Sequence, residues 1–269
     1  MAQKFIAGSN AIFLNDKPII YSGLVSSIAV APDTLTIYAA SSLPYLRKYV
    51  KTYDVVTDLI NWVLDESFKF VSLNVSQFPT GLLLNGADLY ISTSNNKNVS
   101  KILKVNAENG NQILSVETGE NISEIYSTYN AGLSNMTIGN GDYLYVANTG
   151  NFNSGRSIHR VGLQAGLANT EDWITNLTLA PIQLGVYDNY LCVLETDLFS
   201  GEKIVEVFSL DEGLLVYTLE LHESKYLTLG LSLIESFLSL IDNNNITYYT
   251  FDLSEVISGT TEVLKPITT

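Results

Sequence analysis

The 269-residue chain sets 14 Lys+Arg against 28 Asp+Glu, a formal net charge of −14, the wrong balance for releasing counterions from nucleic acid or for anionic membrane surfaces. No apolar run approaches the ~20 residues that span a bilayer. A hydrophobic fraction of 46%, 16 Tyr and a single cysteine describe a β-rich packed core with no intrachain disulfide.

Residues 1–24 hold three short apolar stretches, 4–7, 11–15 and 18–22, read as two or three strands. Only Phe5 and Ile6 separate the first basic residue from small and polar ones, so no secretory leader is expected and synthesis is read as cytoplasmic. From there a unit of four strands recurs. The first copy has strands at 27–31, 36–39, 48–54 and 59–64, with Pro32-Asp33 at its first turn. Val55, Val56, Leu59, Ile60 and Val63 also fall at helical spacing, but the equivalent positions of other copies carry turns and β-formers, so strand is the reading here.

The clearest copy spans residues 81–119, with strands at 82–84, 89–93, 100–106 and 113–117 and turns at Asn85-Gly86 and 107–111. The third copy has 135–138, 144–147, 157–161 and, after an insertion, 173–178. The fourth has 182–186, 191–194, 205–210 and 214–219; the fifth has 229–234, 238–241, 247–252 and 262–267. The period of roughly 50 residues is near that of propeller blades. The turns are rich in Gly, Asn and Asp, which tolerate the positive φ of a tight hairpin. A sheet of four short strands cannot bury both faces alone, so the copies must stack. The chain is therefore read as all-β, a single β-propeller domain over 1–269. Six blades are expected, five full units plus a short N-terminal blade; five blades with an added N-terminal strand is the alternative. No Pro-rich or Gly/Ser-rich linker divides the chain.

Residues 141–160, GDYLYVANTGNFNSGRSIHR, resemble an NHL or SMP-30-type propeller repeat: a turn, an LYVAD-like strand, a polar loop, and a strand opening on Ile and a basic residue. Residues 104–118 are similar to the outer half of YVTN and quinoprotein-type blades. The resemblance implies the fold and says little of function, since propellers host enzymes and scaffolds alike. SMP-30-like hydrolases hold a divalent metal through Glu, Asn and Asp, on a motif resembling N-G-L-x-W, a turn, and L-Y-V-x-D. Here the matching strands end in Asn148 and Thr93, and the N-G-L positions read Thr80-Gly81-Leu82 and Ala131-Gly132-Leu133. The metal carboxylates are absent from the places the resemblance assigns them.

Other chemistry is equally sparse. Neither His159 nor His222 has a partner at metal-ligand spacing, and His159, beside Arg160 in a strand, is expected at the surface. Cys192, mid-strand, is expected to be a buried, inert thiol. The Asx-rich loops 148–153 and 242–245 are read as turn chemistry ahead of calcium binding. Trp62 and Trp173 are assigned to packing between blades ahead of sugar stacking. No nucleophile–base pair or phosphate loop is visible.

No catalytic, cofactor-binding or metal residue is therefore predicted, and no cofactor. The expected function is a non-enzymatic interaction or structural module within a larger assembly such as a virion or phage tail. An Asn/Ser/Thr-rich surface without a secretory leader suits proteins assembled inside a cell that work outside it. A carbohydrate-binding propeller and an SMP-30-like metal-dependent hydrolase are the alternatives. The expected partners are proteins of that assembly, or a glycan. The candidate contacts are Asn95, Asn96, Asn148, Asn151, Phe152, Asn153 and Arg156, in the loops 94–98 and 148–156.

Overall fold

Short runs of β-branched and aromatic residues separated by tight polar turns leave the backbone one way to satisfy its hydrogen bonds, the antiparallel ladder. The computed structural model of the protein describes residues 5–7, 11–14, 17–21, 25–41, 46–70, 77–95, 100–117, 133–139, 143–149, 156–163, 167, 171–175, 177–197, 200–220, 230–234, 237–242 and 247–257. Among these, every regular element but one is an antiparallel strand, and the chain divides into two compact units, 1–135 and 136–269.

The first unit holds three sheets, each ordered as in the sequence. The first consists of β1 (Phe5–Ala7), β2 (Ala11–Leu14) and β3 (Lys17–Tyr21). The second contains β4 (Val25–Val30), β5 (Thr36–Ser41), β6 (Leu46–Asp54) and β7 (Leu59–Leu64). The third contains β8 (Gln77–Asn85), β9 (Asp88–Asn95), β10 (Lys101–Asn106) and β11 (Gln112–Glu117). Successive sheets pack face to face. Ile12 and Ile20 meet Ile37, Ala39 and Tyr49, with Trp62 against them. On the opposite face of the second sheet, Ala29, Tyr38 and Ala40 meet Leu82, Ile91 and Leu103. Alternation along each strand supplies both layers, since successive side chains point to opposite faces. Tyr38 extends across the second of these layers, and its hydroxyl donates to the Ala107 carbonyl at 2.7 Å.

The second unit repeats the plan, and the unit boundary falls within its first strand, β12 (Leu133–Gly139). That strand heads a sheet with β13 (Tyr143–Asn148), β14 (Ser157–Gly162) and β15 (Glu171–Ile174). Next come β16 (Ala180–Tyr187), β17 (Tyr190–Thr196), β18 (Lys203–Ser209) and β19 (Leu215–Glu220). The last sheet has β20 (Gly230–Ile234), β21 (Phe237–Asp242) and β22 (Thr247–Asp252). Tyr145, Ala147, Ile158 and Ile174 pack on Leu184, Val193 and Phe208, and Cys192, Leu194, Val205 and Val207 on Phe251 and Leu253. Trp173 lies half-buried in the first of these layers, 5.0 Å from the Tyr145 ring, so both tryptophans pack between sheets as expected.

The rival readings of residues 55–64 resolve to a turn and a strand. The Asp54 carboxylate accepts the N–H of Val56 at 2.9 Å and of Thr57 at 3.3 Å. Asp58 then takes a positive φ of 55°, and Leu59 pairs back onto Asp54. This local carboxylate-to-backbone bonding competes with a helix and closes the hairpin. The one helical turn, α1 (Ser254–Ile257), was not anticipated; the Asp252 carboxylate accepts from both the Ser254 N–H and its hydroxyl. The strand expected at 262–267 lies outside the described residues. No helix among them is long and apolar enough to cross a membrane.

Cys192 is buried in β17, and burial pushes its thiol up to about 12. A thiol-specific disulfide reagent is expected to leave the native protein unlabelled and to react fully once it is unfolded. Fast labelling of folded protein would contradict this packing.

Candidate functional site

Buried polar side chains in the second unit fall into two groups. In the first, Asn148 ends β13 opposite Ser157, and His159 lies opposite Asp172. The Asn148 Nδ2 donates to Ser157 Oγ at 3.3 Å, and that hydroxyl donates to Asp172 Oδ1 at 3.4 Å. His159 Nδ1 is 2.8 Å from the same carboxylate oxygen. Burial draws the imidazole below its ordinary value, against the pull of Asp172. Its Nε2 is buried and makes no hydrogen bond among the described residues. Hydroxyl and imidazole thus share one carboxylate oxygen instead of bonding to each other, so they do not form the couple that activates a serine.

The surface position expected for His159 is corrected: it is 6% exposed. β14 is an interior strand of its sheet and is covered on both faces, so alternation there does not separate core from solvent. Its neighbour Arg160 is the more exposed of the two, ion-paired with Glu171 and lying 4.7 Å over the Tyr143 ring.

The second group is a pair of carboxyls. Glu206 lies opposite Val193, which places Glu195 diagonally across the same face. Glu195 is 0% exposed and Glu206 2%. The Leu179 N–H donates to Glu195 Oε2 at 2.6 Å, and the Thr178 hydroxyl to Glu206 Oε1 at 2.7 Å. Arg156 donates to the Thr178 carbonyl at 3.3 Å. Burial, followed by the hydrogen bond to Glu206, raises the Glu195 carboxyl to about 10, against the Leu179 N–H and the Arg156 charge. Oε1 of Glu195 and Oε2 of Glu206 have no hydrogen-bond partner among the described residues, and the raised Glu195 carboxyl keeps its proton beside Glu206, because two ionised carboxylates do not share a dry site. Among the described residues no group of three His, Cys, Asp or Glu side chains is placed to hold a metal ion.

This acid pair was missed in the sequence, although a signal existed. Aligning residues 191–194 with 144–147 and 89–92 puts Glu195 level with Asn148 and Thr93. All three are buried polar residues near the ends of the second strands of their sheets. Thr93 turns its hydroxyl to the Lys101 N–H at 2.9 Å, as Asn148 turns its amide to Ser157.

The third feature is apolar and lies in the first unit. The hairpin of β6 and β7 carries Tyr53, Val55, Val56, Leu59, Ile60, Val63 and Leu64 exposed, with Val55 at 83% and Val56 at 93%. β7 is the last strand of its sheet. Residues 46–70 set Arg47, Lys48, Lys51 and Lys69 against Asp54, Asp58, Asp65 and Glu66. This region is therefore neutral in a chain of net charge −14. Lys48 and Asp65 pair at 3.1 Å across the hairpin. Clustered, exposed apolar residues of this kind mark interaction surfaces.

Of the predicted contact residues, Asn148 is corrected: it is 1% exposed and bonded inside the sheet. Arg156 is half-buried, directed at the Thr178 carbonyl. Asn95 closes β9. Asn96, Asn151, Phe152 and Asn153 lie outside the described residues.

No protein-family model matches this chain, and no curated protein matches it. Solved structures do. The U3-55K structure covers 99% of this chain and 77% of its own at TM-score 0.61 and 9% identity. A chain from the Nidogen/Laminin complex covers 94% and 90%, at TM-score 0.59 and 12% identity. The periplasmic gluconolactonase PpgL of Pseudomonas aeruginosa covers 93% and 74%, at TM-score 0.57 and 14% identity. These are β-propeller neighbours, and the fold of this chain is the all-β propeller, its six antiparallel sheets among the described residues in keeping with six blades.

Proposed function

We propose that the chain is a non-enzymatic propeller module that holds a protein partner through the β6–β7 hairpin. The observation that carries this reading is the exposure of seven large apolar side chains on that one hairpin. Leaving such a surface in water is unfavourable by ~25 cal/mol for each Å² that a partner would cover. The likeness to a chain of the Nidogen/Laminin complex, a structure of proteins in contact, supports it. A larger assembly is the setting, with a virion or phage tail as the specific proposal on the strength of the Asn/Ser/Thr-rich composition; mass spectrometry of purified particles tests that setting.

Cross-linking through lysine amines in extracts of the source tests the hairpin. Links are expected to concentrate on Lys51 and Lys69, and to be lost in Val56→Asp. Links scattered over the chain and indifferent to that change would overturn the reading. The gluconolactonase likeness favours a hydrolase as the second reading. A lactone and ester screen with added calcium or zinc decides between them, since sustained turnover would replace the interaction module with an enzyme.

A further inference from the structure

We propose that the hairpin's occupant is a second copy of this chain, joined edge to edge through β7 about a two-fold axis at Asn61. The inference rests on the interaction reading above and names its partner. Among the described residues β7 is the last strand of its sheet, the position at which a sheet can take on another strand. Its sequence, LINWVL, contains no charge and no proline, the usual protections of a free edge. By contrast, β15, at the edge of another sheet, exposes Glu171 and Asp172. Electrostatics point the same way. Two chains of net charge −14 repel, but hairpins that each set four cations against four anions meet without that penalty.

Geometry selects the register. A two-fold axis perpendicular to a continuous antiparallel sheet brings residues of the same face opposite one another. Centred on Asn61, it sets Leu59 against Val63 of the second copy, Ile60 against Trp62, and Asn61 against itself. Each of these pairs is apolar, or two amides able to bond to one another, while Leu64 falls opposite the turn residue Asp58. Centred on Trp62, the axis would set Leu59 against Asp65 and also oppose the amide of Asn61 to the apolar Val63. Pairing of one six-residue strand makes an interface at or below the ~1,200 Å² of standard complexes, so the dimer is reversible and concentration-dependent.

Sedimentation equilibrium of the full chain over a concentration series tests this, with circular dichroism to verify folding of each variant. The wild-type chain is expected to show a monomer–dimer equilibrium. Leu59→Glu and Val63→Lys should each raise the dissociation constant at least about tenfold. Their combination should recover most of the loss, because each Glu then faces a Lys of the other copy. Within one chain the two positions are roughly 13 Å apart and do not pair. Asn61→Asp should dimerise in acid and separate as pH rises through the carboxylate range.

A monomeric wild-type chain overturns the proposal, and so do single variants without effect or a double variant without recovery. If the monomer's hairpin lysines still cross-link to a different protein, self-pairing fails and the interaction reading stands. If β7 amides in a monomer resist hydrogen exchange and the hairpin forms no links, a segment of the chain itself covers the edge and both readings fall.

Discussion

Glu195→Gln is expected to unfold at a higher temperature than the wild-type chain in alkaline buffer and to lose that advantage in acid. Folded, the Glu195 carboxyl is raised from 4.5 to about 10, by burial first and by its bond to Glu206 second. The folded state therefore retains a proton that the unfolded state releases. A raised carboxyl contributes its stability in full below the unfolded value and loses it as pH climbs toward the folded one. The wild-type chain should thus weaken between about 4.5 and about 10, by up to roughly 1 kcal/mol per pH unit. Glutamine carries no such proton. Its amide oxygen can still accept from the Leu179 N–H, and its NH2 can donate to Glu206, so the packing is kept. Thermal unfolding of both proteins across that pH range gives the answer. Parallel curves would mean that Glu195 titrates alike folded and unfolded, and that the buried acid pair is wrongly described.

Gly81→Ala is expected to lower stability by about 2–3 kcal/mol, the range of an overpacked core. A Cβ at this position would meet the Ser134 carbonyl oxygen, Ser92 Oγ at 2.6 Å and the Asn135 Cα at 3.0 Å. Two of these are backbone atoms, tied down by neighbouring bonds. The Ser92 hydroxyl donates to that same Ser134 carbonyl, and the Thr80 hydroxyl donates to the Leu133 carbonyl at 2.6 Å. Gly81 sits at a register shift in β8, where the strand bends toward its neighbour. Gly86→Ala supplies the contrast. That glycine has a positive φ of 58° but nothing within 4 Å of its would-be Cβ, so only backbone strain of about 1 kcal/mol is expected. Urea midpoints at unchanged m-value measure both. Equal losses at the two positions would remove the close-approach account of Gly81.

The local structure was legible because it depends on neighbours in the chain. The turn read at Asn85-Gly86 closes a hairpin whose two loop residues are Gly86 and Ala87, with Asn85 paired to Asp88 and the glycine at positive φ. Asp54 and Asp58 turn an apparently helical run into a hairpin through bonds made within a few residues. Roughly fifty-residue spacing then implied repeated sheets that must stack, and the described residues form six of them. Cys192 was readable for the same reason, as one apolar side chain in a strand whose neighbours are apolar too.

What side chains meet across the stack was not legible, because alternation reports two faces without saying which is covered. The sequence LINWVL of β7 and the sequence LCVLE of β17 look alike as apolar strands, yet one is exposed and the other buried. β17 has a neighbour on each side within its sheet, whereas β7 has one. His159 and Asn148 were expected at the surface, but their strands are packed on both faces, and within the sheet Asn148 bonds to Ser157 and the Nδ1 of His159 to Asp172. The carboxyl pair needed more still. Glu195 and Glu206 lie eleven residues apart, and only the β17–β18 register makes them diagonal neighbours. Pairing partners and turns follow from local chemistry; exposure and protonation depend on what the rest of the fold excludes from water.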